Sequence, residues 1–447
     1  REPMFDVLQE YGVSIVCFLL AIICLFQTWI LKKDFFRPAN IYAFTQALTL
    51  GVAYLKLNSA MSDFRPLTWI VWIGAMVSFL LGSLVFSLVF PKEKAFQDSA
   101  PENWLPNSME KHYHWNRHFY LMLFFFAVFL VGVLGMVSKV GTLIVFTDNV
   151  SKWVSSEANY GVFSIFVMSS PLVVLLAGVS SFKSINPNRF IRISSVFICV
   201  VTIVLAVLAS PSRTSLFLSV GILFILFNYL KKKVSVLFIV VTLFLAVALF
   251  VSVALIRAQY GTRSLEGMAI DRVASIPYDY IANNYWNLDF MLNPMSDRER
   301  HPSTYGIDAF HGIFELTMLP GLIRNYYGWD NAFNKSVQKI PGYNTTGYLW
   351  EVYKDWGILG VVLFPFVIAF LISYLYEKVH KTKTPLLWML YALFLYHLGW
   401  WFFTAGYKSG LFWLWIYVIF FIGKVCEKRN SFKTQEMNRE KIMVEKF

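Results

Sequence analysis

An all-α protein threaded through a membrane by about eleven helices, with one large loop outside, is the fold class that this sequence predicts. Three observations predict it. Hydrophobic residues make up 57% of the 447 positions and charged residues only 15%, with a mean hydropathy of +0.55, outside the range of ordinary soluble domains. Apolar residues run unbroken for about 18 to 23 positions at a time, the length that crosses a hydrocarbon layer of about 30 Å. Basic residues are divided unequally between alternate connections.

The candidate spans are 11–31, 40–58, 67–90, 119–137, 161–180, 191–209, 213–230, 234–256, 357–376, 385–403 and 410–425. The eighth is the clearest, with no charge between Lys233 and Arg257. One set of connections carries Lys32, Lys33 and Arg37, then Lys92, Lys94, Lys111 and Arg117, then Lys183, Arg189 and Arg192. It continues with Lys231, Lys232 and Lys233, then Lys378, Lys381 and Lys383, and ends in a basic tail from Lys424. The short connections of the other set hold Lys56, Arg65, Lys139, Lys152, Arg213 and Lys408. Positive charge stays on the cytoplasmic side, so the first set and the C-terminus are expected there, with the N-terminus outside. The chain then divides into eight spans (1–256), an extracytoplasmic loop (257–356), three spans (357–425) and a basic cytoplasmic tail (426–447).

A net charge of +12 would point to nucleic acid in a soluble protein; here the cytoplasmic loops account for it, and no nucleic-acid partner is expected. Cys17, Cys24 and Cys199 lie inside apolar runs and Cys426 in the tail, with no paired spacing that predicts a disulfide framework or a zinc site. The first apolar run is too long for a cleavable signal and reads as a span.

The loop of about a hundred residues breaks the pattern of short connections. It carries Tyr278, Tyr280, Tyr285, Trp286, Tyr326, Tyr327 and Trp329 among many charges, a composition that predicts a folded, functional segment rather than a linker. Its middle, 307–323, is apolar enough to dip into the membrane surface or line a cavity. No internal repeat is visible, which counts against an inverted-repeat transporter.

Two arginines stand out by position. Arg213 opens the seventh span and Arg257 closes the eighth, so both are expected at one level, at the outer membrane boundary. Guanidinium presents a planar fork of donors that fits phosphate. A pair at that depth suits a lipid-linked diphosphate, whose tail lies in the bilayer and whose headgroup faces out. The plainer alternative is that each arginine snorkels to lipid headgroups. Arg263, Arg272 and Arg324 are further candidates for the same role.

The stretch 341–360 leads into the ninth span. Within it Glu351 and Asp355 are four apart, so on a helix they share a face with Tyr348. Acidic residues near a helix start interact favourably with its dipole. The functional reading is a carboxylate at the membrane surface that binds a sugar hydroxyl or accepts its proton. His112, His114 and His118, interleaved with Tyr113, Trp115 and Arg117, read as an interfacial belt rather than a metal site. His397 is an ionisable group inside the tenth span and a functional candidate on that ground. With no phosphate-binding loop, dinucleotide fingerprint or zinc spacing, neither nucleotide nor metal cofactor is expected.

These residues resemble a known family. Tyr343-Asn344, then Leu349, then Asp355, Gly357 and Gly360 opening a long apolar helix resemble the O-antigen ligase and polymerase superfamily, and most closely its oligosaccharide repeat-unit polymerases, usually called Wzy. Ser212-Arg213-Thr214 opening a span, an arginine closing the next, and the run from Asn283 to Asp289 in the loop agree with it. The resemblance implies a membrane glycosyltransferase of the GT-C type in the bacterial cytoplasmic membrane, using undecaprenyl-pyrophosphate-linked oligosaccharide as donor and acceptor and needing no metal. A chain-length regulator is a further partner that it allows. Tyr343 and Asn344 would belong to the substrate-binding set with Arg213, Arg257, Arg263 and Arg324. The ligases carry a His where this chain has Tyr343, and a phenol is a poor base at neutral pH. The base is then sought in Glu351, Asp355, or His311 and Glu315, which are also four apart. The alternatives are a ligase of finished glycan, or an exporter of lipid-linked oligosaccharide.

Overall fold

The computed structural model describes residues 2–30, 34–58, 61–90, 113–147, 161–182, 185–210, 213–231, 233–259, 270–293, 306, 309–316, 345–382 and 384–427. The elements among them are helical: α1 (Glu2–Ile30), α2 (Pro38–Ala53), α3 (Pro66–Val89), α4 (Trp115–Val140), α5 (Val162–Met168), α6 (Ser170–Ser181), α7 (Arg189–Ala209), α8 (Arg213–Leu230), α9 (Val236–Gln259), α10 (Ile270–Leu292), α11 (His311–Leu316), α12 (Gly347–Thr382), α13 (Pro385–Gly399) and α14 (Gly410–Cys426). Their starts and stops follow local rules. Proline stands in the first turn of α2, α3, α6 and α13, where its missing N–H costs nothing. Asn188 Oδ1 accepts from the backbone N–H of Phe190 at 3.0 Å and of Ile191 at 3.2 Å, capping α7.

Six helical segments among the described residues are long and apolar enough to cross a membrane: Tyr11–Ile30, Pro66–Val89, Trp115–Phe146, Val162–Ser181, Arg189–Ala209 and Gly347–Thr382. Four further apolar helices, Ser215–Leu230, Val236–Leu245, Pro385–Gly399 and Gly410–Cys426, are shorter. The outward faces match this. On α1, Ile15, Val16, Leu19, Ile22, Phe26 and Trp29 are exposed, and Leu237, Phe244 and Leu245 on α9 likewise. Continuous aliphatic faces of that size aggregate in water and are stable against lipid. Among the described residues the secondary structure is helical, and the protein is of the multi-pass membrane kind.

Side chains tie the connections together at each end of the helices. At one end Asp34, before α2, accepts from Tyr229 Oη at 2.6 Å and Tyr376 Oη at 3.0 Å, linking α8 and α12, while Tyr391 Oη of α13 donates to Phe36 O at 2.6 Å. His114 N donates to Cys426 O at 2.8 Å at that same end. His118, expected in an interfacial belt, is instead fully buried: its Nε2 meets Leu176 O at 3.0 Å and its Nδ1 meets Tyr113 Oη at 2.9 Å. The ring locks α4 to α6.

Shape decides the closest packing. α3 and α12 share the most extensive interface of any two elements. Along α3, Ala75, Ser78, Gly82 and Ser83 are buried on one face, where small residues let backbones approach. A Cβ at Gly82 would lie 3.0 Å from Phe366 Cα and closer still to its carbonyl oxygen.

At the other end sits α10, part of the loop predicted to be extracytoplasmic. It packs against α2, α3 and α12. Tyr278, Tyr285 and Trp286 are buried, the last completely, with Trp286 edge-on to Phe64 at 4.6 Å between ring centres. Asp289 Oδ1 accepts from Arg65 N at 2.8 Å and Thr68 Oγ1 at 2.6 Å, fixing the entry of the chain into α3. The loop aromatics on α10 therefore anchor it to the helices beneath.

Two stability outcomes follow. Gly82→Val drives its side chain into the α12 backbone and should cost about 1–3 kcal/mol or displace α12, read as a lower thermal midpoint in detergent. Asp289→Ala leaves two donors unmatched beneath α10 and should cost about 1–3 kcal/mol, read as faster proteolysis around α10 than in the wild-type chain.

Candidate functional site

The site is set by a break in α12. Gly357 has φ +61° and ψ −146°, a conformation closed to side-chain-bearing residues, and there the helix changes direction. Before it lies a largely buried segment from Gly347 to Trp356; after it runs the long apolar part. Gly360 permits the turn to close, since a Cβ there would lie 2.7 Å from Val352 O. The segment before the break is seated on the connection between α13 and α14: Tyr348 N donates to Trp401 O at 3.0 Å, and the Tyr348 and Tyr42 hydroxyls meet at 2.5 Å. Tyr348, expected beside Glu351 and Asp355 on one face, is buried beneath the segment.

Three predicted side chains come together here around a residue that drew notice only as a loop charge. Lys408, in the short 3-10 turn Gly406–Lys408, pairs its Nζ with Glu351 Oε2 at 2.7 Å. His311 Nδ1 lies 3.3 Å from the main-chain oxygen of the same Lys408. Asp355, only 1% exposed, accepts from Ala309 N through Oδ2 at 2.7 Å, two residues before His311. Asp355 thus holds the turn that presents His311, and it is more deeply buried than Glu351 and His311. Gly312 lies against Tyr407 O and Ser409, so α11 docks flush on this turn. Trp413 Nε1 donates to Tyr407 O at 2.7 Å and steadies the turn from α14.

The arginine positions lie at this same end. Arg213 is the first residue of α8, and Arg257 is in the last turn of α9. Both helices run from the short connection at 231–235, so rises of about 1.5 Å per residue put the two backbones about 26 and 32 Å from it. One turn after Arg213, Phe217 stacks on Trp400 with ring centres 5.7 Å apart, which joins the start of α8 to the connection that bears Lys408. The side chains of Arg213, Arg257, Arg272 and Glu315, and residues Arg263, Arg324, Tyr343 and Asn344 entire, lie outside what the structure describes.

Beneath the seated segment is a small cavity of about 10 Å³ lined by Gln46, Asn284, Tyr285, Tyr348, Trp401 and Phe402. It has room for one water molecule. Gln46 Nε2 and Asn284 Oδ1 are buried there without a hydrogen-bond partner among the described residues. Burial pushes the Tyr278 phenol on α10 up to about 12. His397 is packed edge-on to Phe412 at 4.7 Å, inside the protein rather than on the face that carries His311. Among the described residues no three His, Cys, Asp or Glu side chains gather as metal ligands.

Lys408 and the α12 break are what sequence reasoning missed. The glycine spacing was visible, yet its meaning depends on what the turned segment lands on. Compared with known proteins, the chain matches no protein-family model, no curated protein and no solved structure.

Gly357→Ala should cost about 1–3 kcal/mol of backbone strain. It should straighten α12 and withdraw Glu351 from Lys408. A cysteine pair at positions 351 and 408, cross-linked readily in the parent chain, should cross-link poorly in the Gly357→Ala background.

Proposed function

We propose that this chain is a bacterial membrane glycosyltransferase that polymerises polyprenyl-pyrophosphate-linked oligosaccharide repeat units into a surface polysaccharide, as Wzy-type polymerases do. The observation that carries this reading is the gathering of His311, Glu351 and Lys408 at the end of the bundle where α8 begins and α9 ends. In this reading the chain spans the cytoplasmic membrane eleven times, α1 to α9 supplying eight spans and α12 to α14 three, in a GT-C-type arrangement. At about 1.5 Å per residue the short members α2, α8, α13 and α14 reach about 22–27 Å, close to the thickness of the hydrocarbon layer. The end bearing α10 and α11 faces outward and the C-terminus is cytoplasmic, following the uneven distribution of basic residues.

The chemistry follows from where charge develops. The lipid tail of the donor lies against the apolar helix faces, and its diphosphate rests between the start of α8 and the end of α9. Arg213 and Arg257 offset the negative charge that grows on the leaving diphosphate. The acceptor hydroxyl enters from the side of Lys408, where His311 and Glu351 orient it and receive its proton. Asp355 keeps the α11 turn in place. The free energy resides in the diphosphate linkage itself, which dispenses with a nucleotide.

Arg213→Ala and Arg257→Ala, each expressed to wild-type level in a strain whose own copy is deleted, should lower polymer formation at least about 100-fold, the loss typical of removing one charge-stabilising donor. Lysine at either position should recover only part of it, because it supplies charge without the fork. Full-length polymer from both alanine variants overturns the diphosphate assignment. Single repeat units stranded on the inner face of the deletion strain would identify an exporter instead.

A further inference from the structure

His311 and Glu351 compete for the role of base, and the main chain decides between them. A carbonyl oxygen only accepts hydrogen bonds, so the contact of His311 Nδ1 with Lys408 O at 3.3 Å requires the ring proton on Nδ1. In the neutral ring the lone pair is then on Nε2. Glu351 is differently placed: the Lys408 ammonium is 2.7 Å from its Oε2, with the two side chains 30% and 15% exposed, so its charge is neutralised and its orientation held. One residue therefore sets both candidates, through its main chain for His311 and its side chain for Glu351. The turn that does so is itself fixed, by Lys408 N donating to Ala405 O at 2.9 Å and Ser409 N to Gly406 O at 3.1 Å.

The geometry points to His311 Nε2 as the base of the glycosyl transfer and to Lys408 as the positioning residue that selects it, with Glu351 as a neutralised carboxylate that binds an acceptor hydroxyl. This rests on the glycosyltransferase reading above. In the step, Nε2 takes the proton of the acceptor hydroxyl as its oxygen bonds to the anomeric carbon of the donor. The bond from that carbon to the diphosphate oxygen breaks, and the electron pair leaves on the diphosphate. The imidazolium formed has both ring protons, one directed at Lys408 O, and returns its second proton to solvent. Asp355 acts one step further back, through Ala309, by holding the residue pair that leads into the ring.

Two arms test this, and they fail separately. The first does not depend on activity. The nitrogen-15 spectrum of the full chain in nanodiscs, labelled at histidine and assigned with His311→Gln, should show the Nδ1–H tautomer for His311. It should persist in Lys408→Met, because the carbonyl remains. The Nε2–H tautomer in the parent chain overturns the assignment of the base, whatever the protein catalyses. The second arm reads polymer in the complemented deletion strain. His311→Gln should lower it about 100-fold or more, the contribution usual for a general base, while Lys408→Met lowers it about tenfold and Lys408→Arg restores most of it. Wild-type polymer from His311→Gln, with Arg213→Ala inactive, removes His311 as base and leaves the polymerase reading standing. Normal polymer in the deletion strain itself removes that reading, and the proposed step with it.

Discussion

The organising constraint is the backbone reversal at Gly357. A helix leaving the apolar interior would carry its polar residues straight into solvent, away from the rest of the protein. At φ +61° the chain instead turns, and the ten residues before it lie across the end of the bundle. Glu351 then reaches Lys408, Asp355 reaches the α11 turn, and Tyr348 reaches Tyr42. None of these contacts is local in sequence. All depend on the angle at one glycine, together with the absence of a side chain at Gly360, which lets the two parts of α12 approach.

Beside that segment packs a helix of the loop that the sequence marks as unusual. α10 is rich in amides and aromatic rings, a poor composition for a helix facing lipid. It is stable because its polar groups meet those of the helix ends below: Tyr285 Oη is 2.6 Å from Thr49 Oγ1, Tyr278 Oη accepts from Leu57 N at 3.0 Å, and Asn287 Nδ2 donates to Thr345 O at 3.0 Å. In a low-dielectric setting an unpaired polar group is costly, so each pairing makes the position of α10 specific as well as favourable. The bond from Asn287 connects α10 directly to the entry of α12.

The opposite end answers the same physical requirement with different residues. Asp34 gathers two phenols from α8 and α12, and Arg37 Nη2 donates to Ser87 Oγ at 3.2 Å. The other end differs: there the described helices are joined by longer connections.

Composition and apolar run length by themselves determined that this is a helical membrane protein, and where its helices lie, because the cost of exposing a backbone amide to lipid leaves a long apolar run no other structure. A helix stands in each of the eleven predicted segments, and six of the helical segments meet the length and hydropathy of a membrane crossing. The spacing of Glu351, Asp355, Gly357 and Gly360 was legible too, as were the places of Arg213 and Arg257 near helix ends. Only the tertiary structure decided what those residues touch. Lys408 is 57 positions from Glu351 and 97 from His311, and nothing in a periodic pattern encodes a contact across such separations. The fold also buries Tyr348 and Trp286, the latter on a polar helix whose Tyr285, Asn287 and Asp289 side chains find hydrogen-bond partners inside the protein.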